Sequence, residues 1–167
     1  MNNAMKKIRA GVIGVGYLGR FHAQKYASME GVELVGVADI DPRQGQRVAE
    51  ECNCACYDDH RALLEEVDAV SIVVPTSLHH QIASDCIAAG VDILLEKPMT
   101  VTLAEADDLI ARCADNKLVL QVGRQHEIQP LQPAGIEQVS RVAGDSLHLV
   151  IKEIHAAIGV TGKDNGR

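Results

Sequence analysis

The sequence predicts an α/β domain built on a doubly wound parallel sheet, and three observations carry that reading. Short apolar runs alternate with amphipathic stretches over the first 122 residues, a βαβ rhythm. Aromatics are nearly absent, with no Trp, one Phe (Phe21) and three Tyr, so the core must be Val, Ile, Leu and Ala, the palette of a parallel sheet covered by helices. Helix caps fall between the apolar runs, where crossovers belong.

In chain order, strands are expected at Ile8–Val15, Val32–Ala38, Ala55–Tyr57, Ala69–Val74, Val91–Leu95 and Leu118–Val122, most of them Val/Ile-rich and bounded by Gly, Pro, Asn or Asp. A helix opens directly after the first strand. Asp41 before Pro42 reads as an N-cap with proline at the first helical position, and Gly45, Val48, Ala49 and Cys52 then share one face. Ile82, Ala83, Cys86 and Ile87 form a second stripe, closed by Gly90 where a left-handed cap belongs. Thr102 and Glu105 have capping-box spacing, followed by the apolar face of Leu103, Ala106, Leu109, Ile110 and Cys113.

Composition excludes several classes. A 167-residue chain fits one ordinary domain, which buries roughly 70% of the surface its unfolded form exposes. With 47% hydrophobic and 23% charged residues it reads as globular, and no apolar run reaches the ~18 residues of a membrane helix. A formal net charge of −7 argues against nucleic acid or an anionic membrane surface as partner. The basic start, residues 1–7, makes a poor signal peptide because the run behind it contains Arg9 and is broken by Gly11, Gly14 and Gly16. Five cysteines, an odd number, then suggest free thiols and a cytoplasmic location. Cys52, Cys54 and Cys56 alternate without paired C-x-x-C spacing, so no metal is expected.

Gly14-Val15-Gly16-Tyr17-Leu18-Gly19 follows the first strand and opens a helix, the context that gives a G-x-G-x-x-G match its meaning. The first glycine permits a tight turn, the second lets backbone approach a pyrophosphate, and the third lets helix pack on strand. Glycines serving only the turn are the competing reading. Twenty residues beyond Gly19, Asp39 stands at the end of the second strand, with Ile40 beside it, where an acid accepts hydrogen bonds from the adenosine ribose. A 2′-phosphate about 4 Å away would be repelled by roughly 1 kcal/mol per charge pair in water and up to ~4 kcal/mol at an effective dielectric of about 20, so NAD is favoured over NADP. An ordinary strand-end cap is the alternative for Asp39. Two further groups lie after strands four and five: Pro75 and Thr76 with His79, and Glu96-Lys97-Pro98. A lysine near a nicotinamide can hold a sugar hydroxyl and help move its proton, and a cis Pro98 would aim it inward.

Taken in this order and spacing, these motifs resemble the nucleotide-binding (Rossmann) half of the Gfo/Idh/MocA oxidoreductases, over about residues 8 to 123. The resemblance implies NAD as cofactor, a sugar or UDP-sugar substrate, Lys97 as a catalytic residue beside the nicotinamide and His79 as a second one in the pocket. The wording of residues 16–22 and 74–80 is similar to members that oxidise the 3-hydroxyl of UDP-N-acetylglucosamine. Residues 1–123 are therefore expected to form the dinucleotide-binding domain and 124–167 a short tail, with the family's second α/β domain missing. Around residues 124–130 the chain reads Arg-Gln-His-Glu-Ile-Gln-Pro, where the resemblance leads one to expect something nearer His-x-Glu-Arg-Phe-x-Pro.

The tail has candidate segments around Ile136 and Val139 and from Leu147 to Ile158, the latter as helix or strand. Too short for a core of its own, it should pack on the first domain, pair with a second copy as a homo-oligomer, or stay loose. Two functional readings stay open: a dehydrogenase of this family, or a truncated non-catalytic module that binds a dinucleotide and acts through self-association or a partner. An incomplete reading frame is a third.

Overall fold

Period-two burial builds the sheet. In β1 (Ile8–Ile13) the side chains of Ile8, Ala10 and Val12 pack on one face and Ile13 on the other. The computed structural model describes residues 7–123, and within them β1 is followed by α1 (Tyr17–Ser28), β2 (Val32–Ala38), α2 (Pro42–Cys52), β3 (Ala55–Tyr57), α3 (His60–Leu64) and β4 (Ala69–Ile72). A 3-10 turn (Thr76–Leu78), α4 (His79–Ala89), β5 (Asp92–Leu95), α5 (Leu103–Asp115) and β6 (Leu120–Val122) complete it. Every strand pair is parallel, in the order β3-β2-β1-β4-β5-β6. This is the doubly wound arrangement, whose order reverses between β1 and β4.

The helices divide between two faces. Ala23 and Tyr26 of α1 and Val48 and Ala49 of α2 bury against the β1 side that carries Val12. Leu63 of α3, Ile82 and Ile87 of α4 and Leu109 of α5 bury against Ile13, Ile72 and Ile93 on the opposite side. The expected caps are all present. Asp41 accepts from the amide of Arg43 at 3.0 Å, Gly90 adopts φ +72° as the left-handed cap of α4, and Thr102 with Glu105 forms a reciprocal capping box.

Strand ends are tighter than the apolar runs suggest. Val15 lies outside β1 because Gly14, at φ +82°, turns the chain out of the sheet. Val73 and Val74 leave β4 ahead of Pro75, and Leu118 donates to the Cys113 carbonyl to close α5 instead of extending β6. Two elements are additions: the five-residue α3, capped by Asp59, and the 3-10 turn. The readings that concern residues 124–167, including the segments near Ile136, Val139 and Leu147–Ile158, lie outside the described residues. Among the described residues no helix is long and apolar enough to cross a membrane.

Candidate dinucleotide site

Register brings the predicted residues to one edge. The last paired residues of the central strands are Ile13 with Ala38, Ile13 with Ile72, Ile72 with Leu95 and Leu95 with Val122. The residues that follow, Gly14, Asp39, Val73, Glu96 and Gly123, therefore emerge side by side at the carboxyl edge. From β2 to β5 this edge spans about 14 Å at ordinary strand spacing. It includes the switch point between β1 and β4, where open α/β sheets take ligands.

The three glycines of the first turn are required for different reasons. A Cβ on Gly14 would meet the Val73 carbonyl and come within 2.7 Å of Val74 Cγ1, and one on Gly19 would run into the Gly14 carbonyl. Those two glycines are demanded by the fold itself. A Cβ on Gly16 would meet nothing within 4 Å among the described residues. Gly16 is the N-cap of α1, with no side-chain cap and no acid in the first turn, so this end of the helix offers amide donors and positive dipole to the space in front of it. Tyr17, exposed with its ring edge-on to Phe21, and the partly buried Leu18 begin the helix behind it.

Asp39 braces this turn. Its Oδ2 accepts from the amide of Val15 at 2.7 Å and its Oδ1 from the amide of Asp41 at 2.9 Å, joining the glycine turn to the β2–α2 loop. Each carboxylate oxygen keeps further lone-pair capacity toward solvent. Beside it opens a cleft of about 300 Å³, walled by Gly14 and Gly16, by Asp39 and Ile40, and by Val74, Pro75 and Leu78. Ile40 is 94% exposed, an apolar side chain held out at the cleft rim. Asp58 and His60, after β3, complete the rim. Sequence reasoning passed over both, although they satisfy the same carboxyl-end rule that selected Asp39. His60 is tied to α4 through Asp85, 2.8 Å from its Nε2.

The remaining candidates lie further along the edge. Thr76 opens the 3-10 turn beside Pro75. His79 is not in the cleft wall: its ring is buried beneath it, with Nε2 2.9 Å from the Val74 carbonyl oxygen and Nδ1 3.1 Å from those of Pro98 and Met99. It fastens the end of β4 to the turn after β5. In that turn the Lys97–Pro98 peptide is cis, Lys97 is exposed, and Glu96 is largely buried. Contact with His22 holds the Glu96 carboxyl below the usual carboxylate range, against an opposing effect of burial. Burial pushes the Cys54 thiol up to about 12 and raises Cys52 and Cys56 also, which leaves them protonated and unreactive near neutrality.

A glycine turn at the switch point, an acid closing the next strand and a cleft between them define the class of dinucleotide-binding doubly wound domains. The chain belongs to the Gfo/Idh/MocA family, described as an oxidoreductase family with an NAD-binding Rossmann fold, whose model matches residues 8–124. It is 48% identical over 126 residues to UDP-N-acetylglucosamine 3-dehydrogenase of Acidithiobacillus ferrooxidans, covering 75% of this chain and 40% of that protein. The solved structure of that dehydrogenase, GnnA, superposes with a TM-score of 0.68 at 50% identity over 70% of this chain and 38% of the other. GenD2 from gentamicin A biosynthesis, solved in complex with NAD, gives a TM-score of 0.69 at 28% identity over 73% of this chain and 36% of its own. The chain thus spans about 40% of the length of the curated relative it matches at 48% identity.

Proposed function

We propose that this domain binds NAD across the carboxyl edge of its sheet, as the coenzyme half of an oxidoreductase acting on a sugar or nucleotide-sugar hydroxyl. The observation that carries the reading is the space at Gly16. The two flanking glycines are required by neighbouring protein atoms, whereas no atom of the described residues requires this one, and a Cβ there would fill the approach to the α1 amides. A diphosphate fits that place by charge and by donor geometry. The Asp39 carboxylate favours a free ribose 2′-hydroxyl over a 2′-phosphate, which supports NAD over NADP.

When bound, the nicotinamide coenzyme would supply a hydride acceptor for oxidising a carbinol to a carbonyl, with the α1 amides above Gly16 holding its diphosphate and Asp39 its ribose. The chain's own contribution is orientation. Lys97, on the turn after β5, holds the hydroxyl and takes part in moving its proton, and His79 keeps that turn joined to β4. The likeness to an enzyme named for UDP-N-acetylglucosamine supports a UDP-sugar as the substrate class.

The test is a fluorescence titration with NADH on the wild type and on Gly16→Ala, with melting temperatures for both. The variant should melt within a few degrees of wild type yet bind NADH about tenfold or more weakly, a loss of about 1.4 kcal/mol. Wild-type protein without saturable NADH binding, or a variant that binds equally well, would refute the cradle. Saturable binding with no oxidation of UDP-N-acetylglucosamine would leave the dinucleotide-binding module as the function.

A further inference from the structure

Three polar side chains are buried on the α1 face of the sheet and take no part in the cleft wall: His22, Tyr26 and, from β4, Ser71. Tyr26 Oη lies 2.9 Å from Ser71 Oγ, Ser71 Oγ lies 3.1 Å from His22 Nδ1, and His22 Nε2 lies 3.2 Å from Glu96 Oε1. The last contact is bent away from a linear hydrogen bond, and Nε2 has no other acceptor among the described residues. Glu96 in turn accepts from the Lys97 amide at 3.3 Å, and a Cβ on Gly123 would come within 3.2 Å of both its carboxylate oxygens, so the end of β6 closes its other side.

The direction of the string follows by elimination. A carboxylate only accepts, so Nε2 must carry a proton. If Nδ1 carried one too, Ser71 would accept from it, and one of the two buried hydroxyl protons, that of Ser71 or that of Tyr26, would have no acceptor among the described residues. A ring protonated at Nδ1 alone has the same defect and also points the Nε2 lone pair at the carboxylate. One arrangement leaves neither hydroxyl proton without an acceptor and turns the remaining ring proton toward the carboxylate: Tyr26 donates to Ser71, Ser71 donates to His22 Nδ1, and His22 Nε2–H faces Glu96 Oε1 at 3.2 Å.

We propose that Tyr26, Ser71 and His22 form a one-way hydrogen-bond string that holds the Glu96 carboxylate in place and so sets Lys97 beside the coenzyme. They are positioning residues, and the second half of this statement rests on the NAD reading of the cleft. The lowered proton affinity of Glu96, caused first by His22, agrees with the direction.

The test has two arms on the full chain. Histidine nitrogen NMR without coenzyme should show His22 as the Nε2–H tautomer in wild type and a loss of that fixed tautomer in Ser71→Ala. NADH titration should show His22→Leu weakened about tenfold and His22→Gln, whose side-chain amide reproduces the Nε2 donor, within about threefold of wild type. A bulk-filling role would rank leucine and glutamine the other way. A wild-type ring protonated at Nδ1, or a folded His22→Leu that binds NADH like wild type, would overturn the proposal. Should His22→Leu fail to fold, the wild-type and Ser71→Ala tautomers decide. Wild type that fails to bind NADH would sink the coenzyme reading and the placement of Lys97 with it, while the tautomer would still decide the string.

Discussion

Replacing Asp39 with alanine separates the bracing role its carboxylate has in the free protein from the ribose contact proposed for it. In the free protein its oxygens accept from the amides of Val15, at 2.7 Å, and Asp41, at 2.9 Å. The Asp41 amide is at the surface and can turn to water, so its loss costs little. The Val15 side chain is fully buried and its amide lies at a partly buried contact, so losing a charged acceptor there costs about 2–3 kcal/mol. For a domain of this size that corresponds to a fall of about 6–18 °C in melting temperature. Asp39→Asn, which keeps one acceptor oxygen, should lose roughly half as much. Thermal and urea unfolding measure this without coenzyme. In parallel titrations the alanine variant should narrow the affinity gap between NADH and NADPH by about fivefold or more, the lower limit of the repulsion that a carboxylate exerts on a 2′-phosphate. An Asp39→Ala protein that melts within about 1 °C of wild type would refute the bracing role. An unchanged NADH-to-NADPH ratio would refute the ribose contact independently.

Two further outcomes follow from the packing. Burial raises the proton affinity of Asp92, against the opposing hydrogen bond from the Val119 amide at 2.8 Å. A carboxyl group with a higher folded than unfolded pKa destabilises the fold when ionised, and this cost vanishes as the pH falls through the folded and then the unfolded value. Asp92→Asn keeps the acceptor and removes the charge, so it should melt a few degrees higher at neutral pH, with the advantage gone near about pH 4. Equal melting curves at both pH values would contradict the assignment. Thr102→Ala removes the acceptor for the Glu105 amide and half of the capping box of α5, and urea unfolding should report a loss of about 1 kcal/mol.

What could be read in the sequence was whatever depends on local chemistry. Asp41-Pro42, Gly90 and the Thr102–Glu105 pair each determine a helix end through a few neighbouring residues, and each is where it was expected. The glycine turn and Asp39 were legible because motif spacing encodes the strand–turn–helix unit. α3 escaped because five residues are too few to show a helical period. His79 was legible as a residue of the site's edge but not as a buried strut, because its partners Pro98 and Met99 come from a loop about twenty residues away. His22 carried a signal that went unused: with Gly19, Ala23 and Tyr26 it falls at helical spacing on the buried face of α1, and a histidine on an apolar stripe needs a partner that only the sheet can supply.

That stripe makes α1 the element both ends of the site share. Its amino end presents the amides above Gly16, while its buried face carries His22 and Tyr26 toward Ser71 and Glu96. Gly19 fixes how closely the helix lies on the turn, because a side chain there would strike the Gly14 carbonyl. The amino end of α1 and the Glu96-Lys97-Pro98 turn are therefore linked through one helix, and on the NAD reading proposed above that helix helps set the spacing between the diphosphate and Lys97. A substitution on the buried face of α1 should then alter coenzyme affinity without touching the coenzyme, whereas one on its exposed face, such as Arg20 with its surface partner Glu51, should change stability slightly and affinity not at all.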